Sequence, residues 1–463
     1  MEAAQLSFGC ARPVPFRRGS MHAQHVLNSH TSMLTILLSV LKAAERMRRV
    51  DTVKRVLVRG ALPRVLTVAR SLLPAANHVF LVGYPSGEGN AVETARAILE
   101  RYDGRIAWAQ SPSQNYLSKV GFPPTDQILR VKKGTLRALW LYVTAEAVFF
   151  THGLYGEPAA DIRKPTVNLW HGGGMKWSDA LFGERRLSSK PSDYILGATA
   201  MWGYRTAEIS GLSNDDVLLV GYPRNDDLFR PASAERLEEL GIAAGRFVVW
   251  MPSYRTALSQ GTMRSMNDSK DTSEDLSMAS QFARVVDHFR RRGLAVVVKP
   301  HPFDSVARNV DGAVLIDDDV LLTAGVSLYS VLGASSGLIT DTSSVWSDYL
   351  LVDKPIGFFF PDKDAYVAGR GVYPKDIFDW LPGPELLTDE DIAEFADEVV
   401  AGSSHWAERR RTTAERSGLV HTRDAAHGML DELMARSSAR FSRRLGKNPR
   451  AAVSTTRIEG AMQ

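Results

Sequence analysis

The strongest constraint in this sequence is an alternation of short apolar, β-rich runs with helical stretches that runs through the chain twice. The first series comprises Arg55–Arg59, His78–Val82, Ile106–Ala109, Ala147–Thr151, Val167–Trp170, Tyr194–Leu196 and Val217–Val220, with helix candidates such as Ala91–Tyr102 and Gly134–Thr144 between them. Continuous apolar runs of this length suit strands buried on both faces, and their alternation with helices predicts βαβ units and a parallel sheet. A second series begins at Arg246: Phe247–Met251, Leu294–Lys299, Ala313–Ile316, Gly337–Thr340 and Pro355–Phe360, separated by helix candidates Gln281–Arg292, Ala324–Leu332 and Ser343–Leu351. The fresh start near Phe229–Arg246 predicts two doubly wound α/β domains in series. Ligands of such sheets bind at the carboxyl ends of the strands, and here two such edges face one cleft.

This pattern divides the 463 residues into an extension over 1–52, a first domain over 53–240, a second over 241–385, helices over 386–440 and a basic flexible tail over 441–463. In the extension, His30–Val50 reads as an amphipathic helix ending in Arg46, Arg48 and Arg49. Its apolar run Met33–Leu41 is about half of the ~20 residues that a membrane span needs. The polar stretch Thr256–Ser277 reads as a long loop. A single cysteine, Cys10, excludes an internal disulfide framework and any cysteine-rich metal site, in keeping with a reducing cytoplasm. A net charge of +4 is too small to argue for a nucleic-acid binder.

Five stretches carry residues suited to chemistry. In Asn168-Leu-Trp-His171-Gly-Gly-Gly-Met-Lys176, a buried strand ends where His171 meets a run of glycines. Gly172 and Gly173 let the backbone approach a ligand closely, His171 can take a proton near neutral pH, and Lys176 adds positive charge. Lys299-Pro-His301-Pro302 holds His301 rigidly just past a strand. Asp341, Thr342, Ser343 and Ser344 open a helix after Gly337–Thr340, where hydroxyls, N–H groups and the helix dipole favour a phosphate. Gly221-Tyr-Pro-Arg-Asn-Asp226 reads as a hinge turn, and Arg255 in Pro252-Ser-Tyr-Arg255 can meet a phosphate bidentately. No P-loop, GxSxG elbow, HExxH helix or paired-cysteine motif occurs. A phosphate site in the second domain and a base in the first favour group transfer from a nucleotide-linked donor.

The stretches LWHGGGMKWSD (Leu169–Asp179), GYPRNDDL (Gly221–Leu228), MPSYR (Met251–Arg255), KPHP (Lys299–Pro302), LITDTSSVWSDYLLVDKP (Leu338–Pro355), RGVY (Arg370–Tyr373) and PGP (Pro382–Pro384) together resemble the CDP-glycerol glycerophosphotransferase family of teichoic-acid primases and polymerases. The resemblance covers roughly Ala145 to Val400. It implies a GT-B fold of two Rossmann-like domains with C-terminal helices, and transfer of glycerol phosphate from CDP-glycerol to a hydroxyl with release of CMP. His171 would be the general base, in the first domain and away from the nucleotide. His301 would touch the donor pyrophosphate, which Thr342, Ser343 and Ser344 would hold, with Arg255 and Arg370 as further phosphate contacts. Neither a resident cofactor nor a metal is expected. The acceptor would be a lipid-linked or polymeric glycan at the inner face of the cell membrane, reached by peripheral attachment of a cytoplasmic protein. Gly173-Gly174 replaces the family's usual Thr-Pro and Thr342 its common tyrosine, so ribitol phosphate or another polyol phosphate stays open as the transferred group. Two other readings share the fold: a glycosyltransferase or epimerase using a UDP-sugar, and a non-catalytic scaffold of an envelope-assembly complex.

Overall fold

In a computed structural model, residues 62–122, 124–155, 163–176, 192–242, 246–253, 256–259, 262–265, 272–300, 310–402, 405–437 and 440–446 are described, without the side chains of 256–259, 262–265, 272–279 and 369–370. The chain divides into two compact units at Val65 and Leu66. Of the first, only residues 62–65 are described, the start of helix α1 (Leu62–Leu72). The expected strand Arg55–Arg59 and helix His30–Val50 lie outside the described residues.

The second unit contains two parallel sheets. The first comprises β1 (His78–Val82), β2 (Arg105–Ala109), β3 (Ile128–Val131), β4 (Val148–Phe150), β5 (Thr166–Asn168), β6 (Tyr194–Gly197) and β7 (Val217–Leu219), in the order β3-β2-β1-β4-β5-β6-β7. Every neighbouring pair is parallel, with Phe80 opposite both Ala107 and Val148. β1 is an interior strand and buried along its whole length, as its apolar sequence requires. Helices α2 (Gly89–Arg101), α3 (Gln114–Lys119), α4 (Leu136–Thr144) and α5 (Ala200–Ile209) connect the strands. In α2, Ala91, Ala95 and Ile98 recur at helical spacing and are buried against the sheet, while Glu88 caps the helix by accepting from the Ala91 N–H at 3.0 Å.

After a 3₁₀ turn over Pro223–Phe229 and α6 (Ala234–Glu239), the second sheet starts at β8 (Phe247–Met251). The chain continues with a separate hairpin of β9 (Thr256–Ser259) and β10 (Thr262–Ser265), then α7 (Thr272–Arg290), β11 (Ala295–Val298), β12 (Val314–Leu315), α8 (Asp318–Ala324), α9 (Leu328–Ala334), β13 (Gly337–Thr340), α10 (Val345–Tyr349) and β14 (Ile356–Phe358). The parallel order is β12-β11-β8-β13-β14. Helices α11 (Lys363–Arg370), α12 (Asp389–Ala401), α13 (Ala407–Ser417) and α14 (Ala425–Arg436) follow.

Three expectations are corrected here. The segment expected to be one helix over Ala324–Leu332 is two, because Gly325 ends α8 in the left-handed region at φ +69°. The polar stretch 256–277 contains the β9–β10 hairpin and the first turns of α7 rather than a continuous loop. The tail expected to be flexible from Phe441 onward is folded as far as Gly446. Helix α14 returns to the first sheet, where Met429, Leu430, Leu433, Phe441 and Leu445 join the core of β1, β2 and α2. The physical reason lies in Glu146, a carboxylate with 0% exposure that takes Arg440 at 2.8 Å, Arg444 at 2.9 Å and the Tyr102 hydroxyl at 2.7 Å. A buried carboxylate needs such partners, so two arginines of the basic tail are held by the fold.

Apolar contact also joins the two sheets. Met175 and Trp202, from the first half of the chain, share a core with Trp346, Tyr349, Val372 and Trp380 from the second. The Trp202 ring packs edge-on against Trp346 at 5.4 Å. Together these fix the two carboxyl edges relative to each other, and the site described next lies there.

Candidate active site

β5 ends at Asn168, and the chain then makes an unusual turn. Trp170 is held at φ +55°, a left-handed conformation that costs a non-glycine residue roughly 1–2 kcal/mol. Three hydrogen bonds hold it there: its N–H donates to Asn168 Oδ1 at 2.9 Å, its indole N–H to the Gly172 carbonyl at 2.7 Å, and its carbonyl accepts from Asn90 Nδ2 at 3.1 Å. The strained turn presents His171 on the cleft floor, where it stays exposed to solvent.

The His171 ring stacks on His152 with 4.5 Å between centroids and packs against Trp170 at 4.4 Å. It also hydrogen-bonds the Thr151 backbone. Its depth in the cleft pushes its pKa down to about 4, helped by the charges of His152, Arg224 and Lys176 and opposed by the bond to Thr151. His171 is therefore neutral at pH 7. The nitrogen that donates to Thr151 carries the proton, which leaves the other as a base.

The glycines after His171 are closely packed. Gly172 has φ +136°, and a side-chain carbon there would run into Ser344 Oγ. One on Gly174 would come within 2.9 Å of Ser344 Cα, and one on Gly173 within 3.1 Å of Trp202. The run is therefore glycine because the start of α10 lies against it. The loop that carries His171 thus touches Ser344 of the second half of the chain. Beyond the glycines, the Met175 carbonyl accepts from Tyr373 N–H at 2.8 Å, and Lys176 forms a backbone bridge with Val372. The LWHGGGMK, ITDTSS and RGVY stretches thus meet at one place.

Arg224, read from sequence as part of a hinge turn, joins these parts. Its guanidinium donates to the His171 carbonyl at 2.9 Å and to Asp348 Oδ2 at 2.8 Å, and lies against the rings of Tyr222 and Tyr329. Asp348 also accepts from the Tyr329 hydroxyl at 2.5 Å and Asn225 Nδ2 at 3.2 Å. The Arg224 N–H donates to Asn90 Oδ1 at 3.1 Å, and Asn90 in turn holds Trp170. One buried ion pair therefore ties the His171 loop to α10.

The oxygen-rich run at the end of β13 divides in two. Asp341 and Thr342 are buried. Asp341 accepts from Ser253 N–H at 3.1 and 2.9 Å and from Ser343 N–H at 3.1 Å, while the Thr342 hydroxyl donates to Ser253 Oγ at 3.3 Å. They lock the ends of β8 and β13 together. Ser343 and Ser344 remain half-buried at the head of α10. Lys299 pairs with Asp318 at 3.1 Å. His301 and Arg255 lie outside the described residues, as does the side chain of Arg370, whose backbone ends α11. Sequence reading missed His152, although Thr151-His152-Gly153 repeats the strand-then-His-Gly form of Trp170-His171-Gly172.

Residues 87–425 match the family model described as CDP-glycerol:poly(glycerophosphate) glycerophosphotransferase. The chain is 38% identical over 100 residues to a teichoic acid ribitol-phosphate primase of Bacillus spizizenii, covering 21% of this chain and 24% of that protein. It is 22% identical over 319 residues to the teichoic acid glycerol-phosphate primase of Bacillus subtilis, covering 64% and 79% respectively. Among solved structures, the wall teichoic acid polymerase TagF superposes with a TM-score of 0.59 at 17% identity over 83% of this chain and 95% of TagF, which shows a shared fold. A TagF variant has also been soaked with CDPG.

Proposed function

The chain belongs to the CDP-glycerol:poly(glycerophosphate) glycerophosphotransferase family, and from that premise we propose that it moves glycerol phosphate, or a related alditol phosphate, from a CDP-alditol to an acceptor hydroxyl in teichoic-acid-like polymer synthesis. One observation carries this reading: the loop that presents the neutral imidazole of His171 packs through Gly172 and Gly174 against Ser344, at the hydroxyl-bearing start of α10. A base and a phosphate-binding edge are thereby held together.

In this reaction the acceptor oxygen attacks the alditol-bearing phosphorus and its proton passes to the unbonded nitrogen of His171. The bond from that phosphorus to the bridging oxygen breaks, and CMP leaves. Ser343 and Ser344, with the N–H groups at the head of α10, meet the charge that builds on the pyrophosphate. His301, Arg255, Lys176 and Arg370 complete the phosphate contacts. Gly172 allows the close approach of the two loops and Gly173 that of Trp202, and Asp341 and Thr342 hold the serine loop in place. Peripheral attachment at an anionic membrane face belongs to the same proposal, since the expected acceptor is lipid-linked. Arg440 and Arg444 are ion-paired with Glu146. Among the described residues no helix is long and apolar enough to cross a membrane.

The test is a donor panel. Incubated with CDP-glycerol, CDP-ribitol and UDP-sugars, the purified chain should release CMP from at least one CDP-alditol and no UDP or UMP. A ligand at ~100 times its Kd should also add about 2.7 kcal/mol of stability, seen as a raised Tm. Release of UDP from a UDP-sugar, with none of CMP, would return the reading to glycosyl transfer.

A further inference from the structure

We propose that Lys133 and His152 form an anion subsite that holds the phosphate of the acceptor beside its attacking hydroxyl, a subsite that rests on the transfer reaction proposed above. The turn after β3 meets the segment that follows β4, where the Gly134 N–H donates to the Tyr155 hydroxyl at 3.0 Å. Lys133 precedes Gly134 in this turn. Lys133 is half-buried, and among the described residues it has no ion pair or hydrogen bond. A partly dehydrated ammonium without a counter-charge is costly, and an incoming anion relieves the cost.

His152 lies within reach of the Lys133 charge. Its Nδ1 lies 3.0 Å from Thr151 Oγ1, which also accepts from the Tyr84 N–H at 3.2 Å, and Tyr84 packs edge-on against the ring at 5.8 Å. The charges that act on His152 are those of Lys133 and Arg224, both positive. Arg224 is committed to the His171 carbonyl and Asp348, so Lys133 and His152 are the groups left to meet an anion.

Position decides which anion. The partners of His152 (Thr151, Tyr84 and His171) all belong to the first sheet, whereas the glycines after His171 touch Ser344 of the second. His171 therefore stands between the proposed donor edge and the Lys133–His152 pair. A poly(glycerophosphate) acceptor, as in the family's description, carries a phosphodiester next to each hydroxyl. With that hydroxyl at His171, the neighbouring phosphate reaches the stacked His152.

The experiment compares a glycerol-phosphate-terminated acceptor with the same polyol lacking the phosphate, at saturating CDP-glycerol. Lys133→Gln should raise KM for the first about tenfold more than for the second, the loss of one charge-assisted contact, and Lys133→Arg should restore most of it. A second measurement does not depend on turnover: glycerol 3-phosphate should shift the His152 ring resonances of the wild type, glycerol alone should not, and Lys133→Gln should weaken the binding by a similar factor. Equal losses for both acceptors would overturn the subsite, as would a KM rise confined to CDP-glycerol, which would assign the cation to the donor. A wild type that releases no CMP would sink the transfer reading, while the glycerol 3-phosphate titration would still decide the subsite.

Discussion

Replacing His171 with alanine is expected to lower turnover about 10²–10⁴-fold, the usual contribution of a positioned general base. Donor affinity should change little, because the contact between this loop and Ser344 runs through the glycines and not through the imidazole. The pH dependence gives an independent reading. A base works deprotonated, and His171 is held below 6.5, down to about 4. The wild-type rate should therefore stay level as pH falls through 6.5 and decline only in the acid range, with the alanine variant losing that limb. Turnover within a few-fold of wild type, or an acid limb unmoved by the substitution, would remove His171 from the mechanism.

Arg224→Gln should be costly in a different way. The substitution leaves Asp348, with 1% exposure, as a buried carboxylate without its cation. Breaking one partner of a buried pair typically costs about 3–5 kcal/mol of unfolding free energy, measurable by denaturant titration. Adding Asp348→Asn should recover part of that loss, because the second change removes the uncompensated charge. The single variant also deprives the His171 carbonyl of its 2.9 Å donor, so turnover should fall further than stability alone predicts at temperatures where the variant is folded. A stability change below about 1 kcal/mol would mean that the pair does not tie the two edges together.

The fold was legible where burial is complete. Strands β1, β8 and β13 fall where their apolar runs predict, since a strand covered on both faces shows an unbroken apolar sequence. β3, Ile-Leu-Arg-Val at the sheet edge, escaped because its outer positions are half-open and Arg130 faces solvent. At the site, glycine and histidine marked the His171 loop, and only packing reveals that Gly172 and Gly174 lie against the head of α10. Arg224 could not be assigned from sequence because its partner Asp348 lies 124 positions away. The Asp341–Ser344 run looked uniform, and only packing reveals that its first two residues turn inward to Ser253. His152 has no glycine run or nearby lysine in sequence to flag it. Its meaning comes from stacking between adjacent strands.

The central claim is that an acceptor hydroxyl attacks the alditol-bearing phosphorus and expels CMP. The most direct measurement uses an acceptor carrying ¹⁸O in its attacking hydroxyl, with CDP-glycerol as donor and both products analysed by mass spectrometry. The account predicts that all of the label appears in the new phosphodiester and none in CMP. Label in the cytidine product, with free glycerol phosphate as the leaving group, would place the attack on the other phosphorus and contradict it.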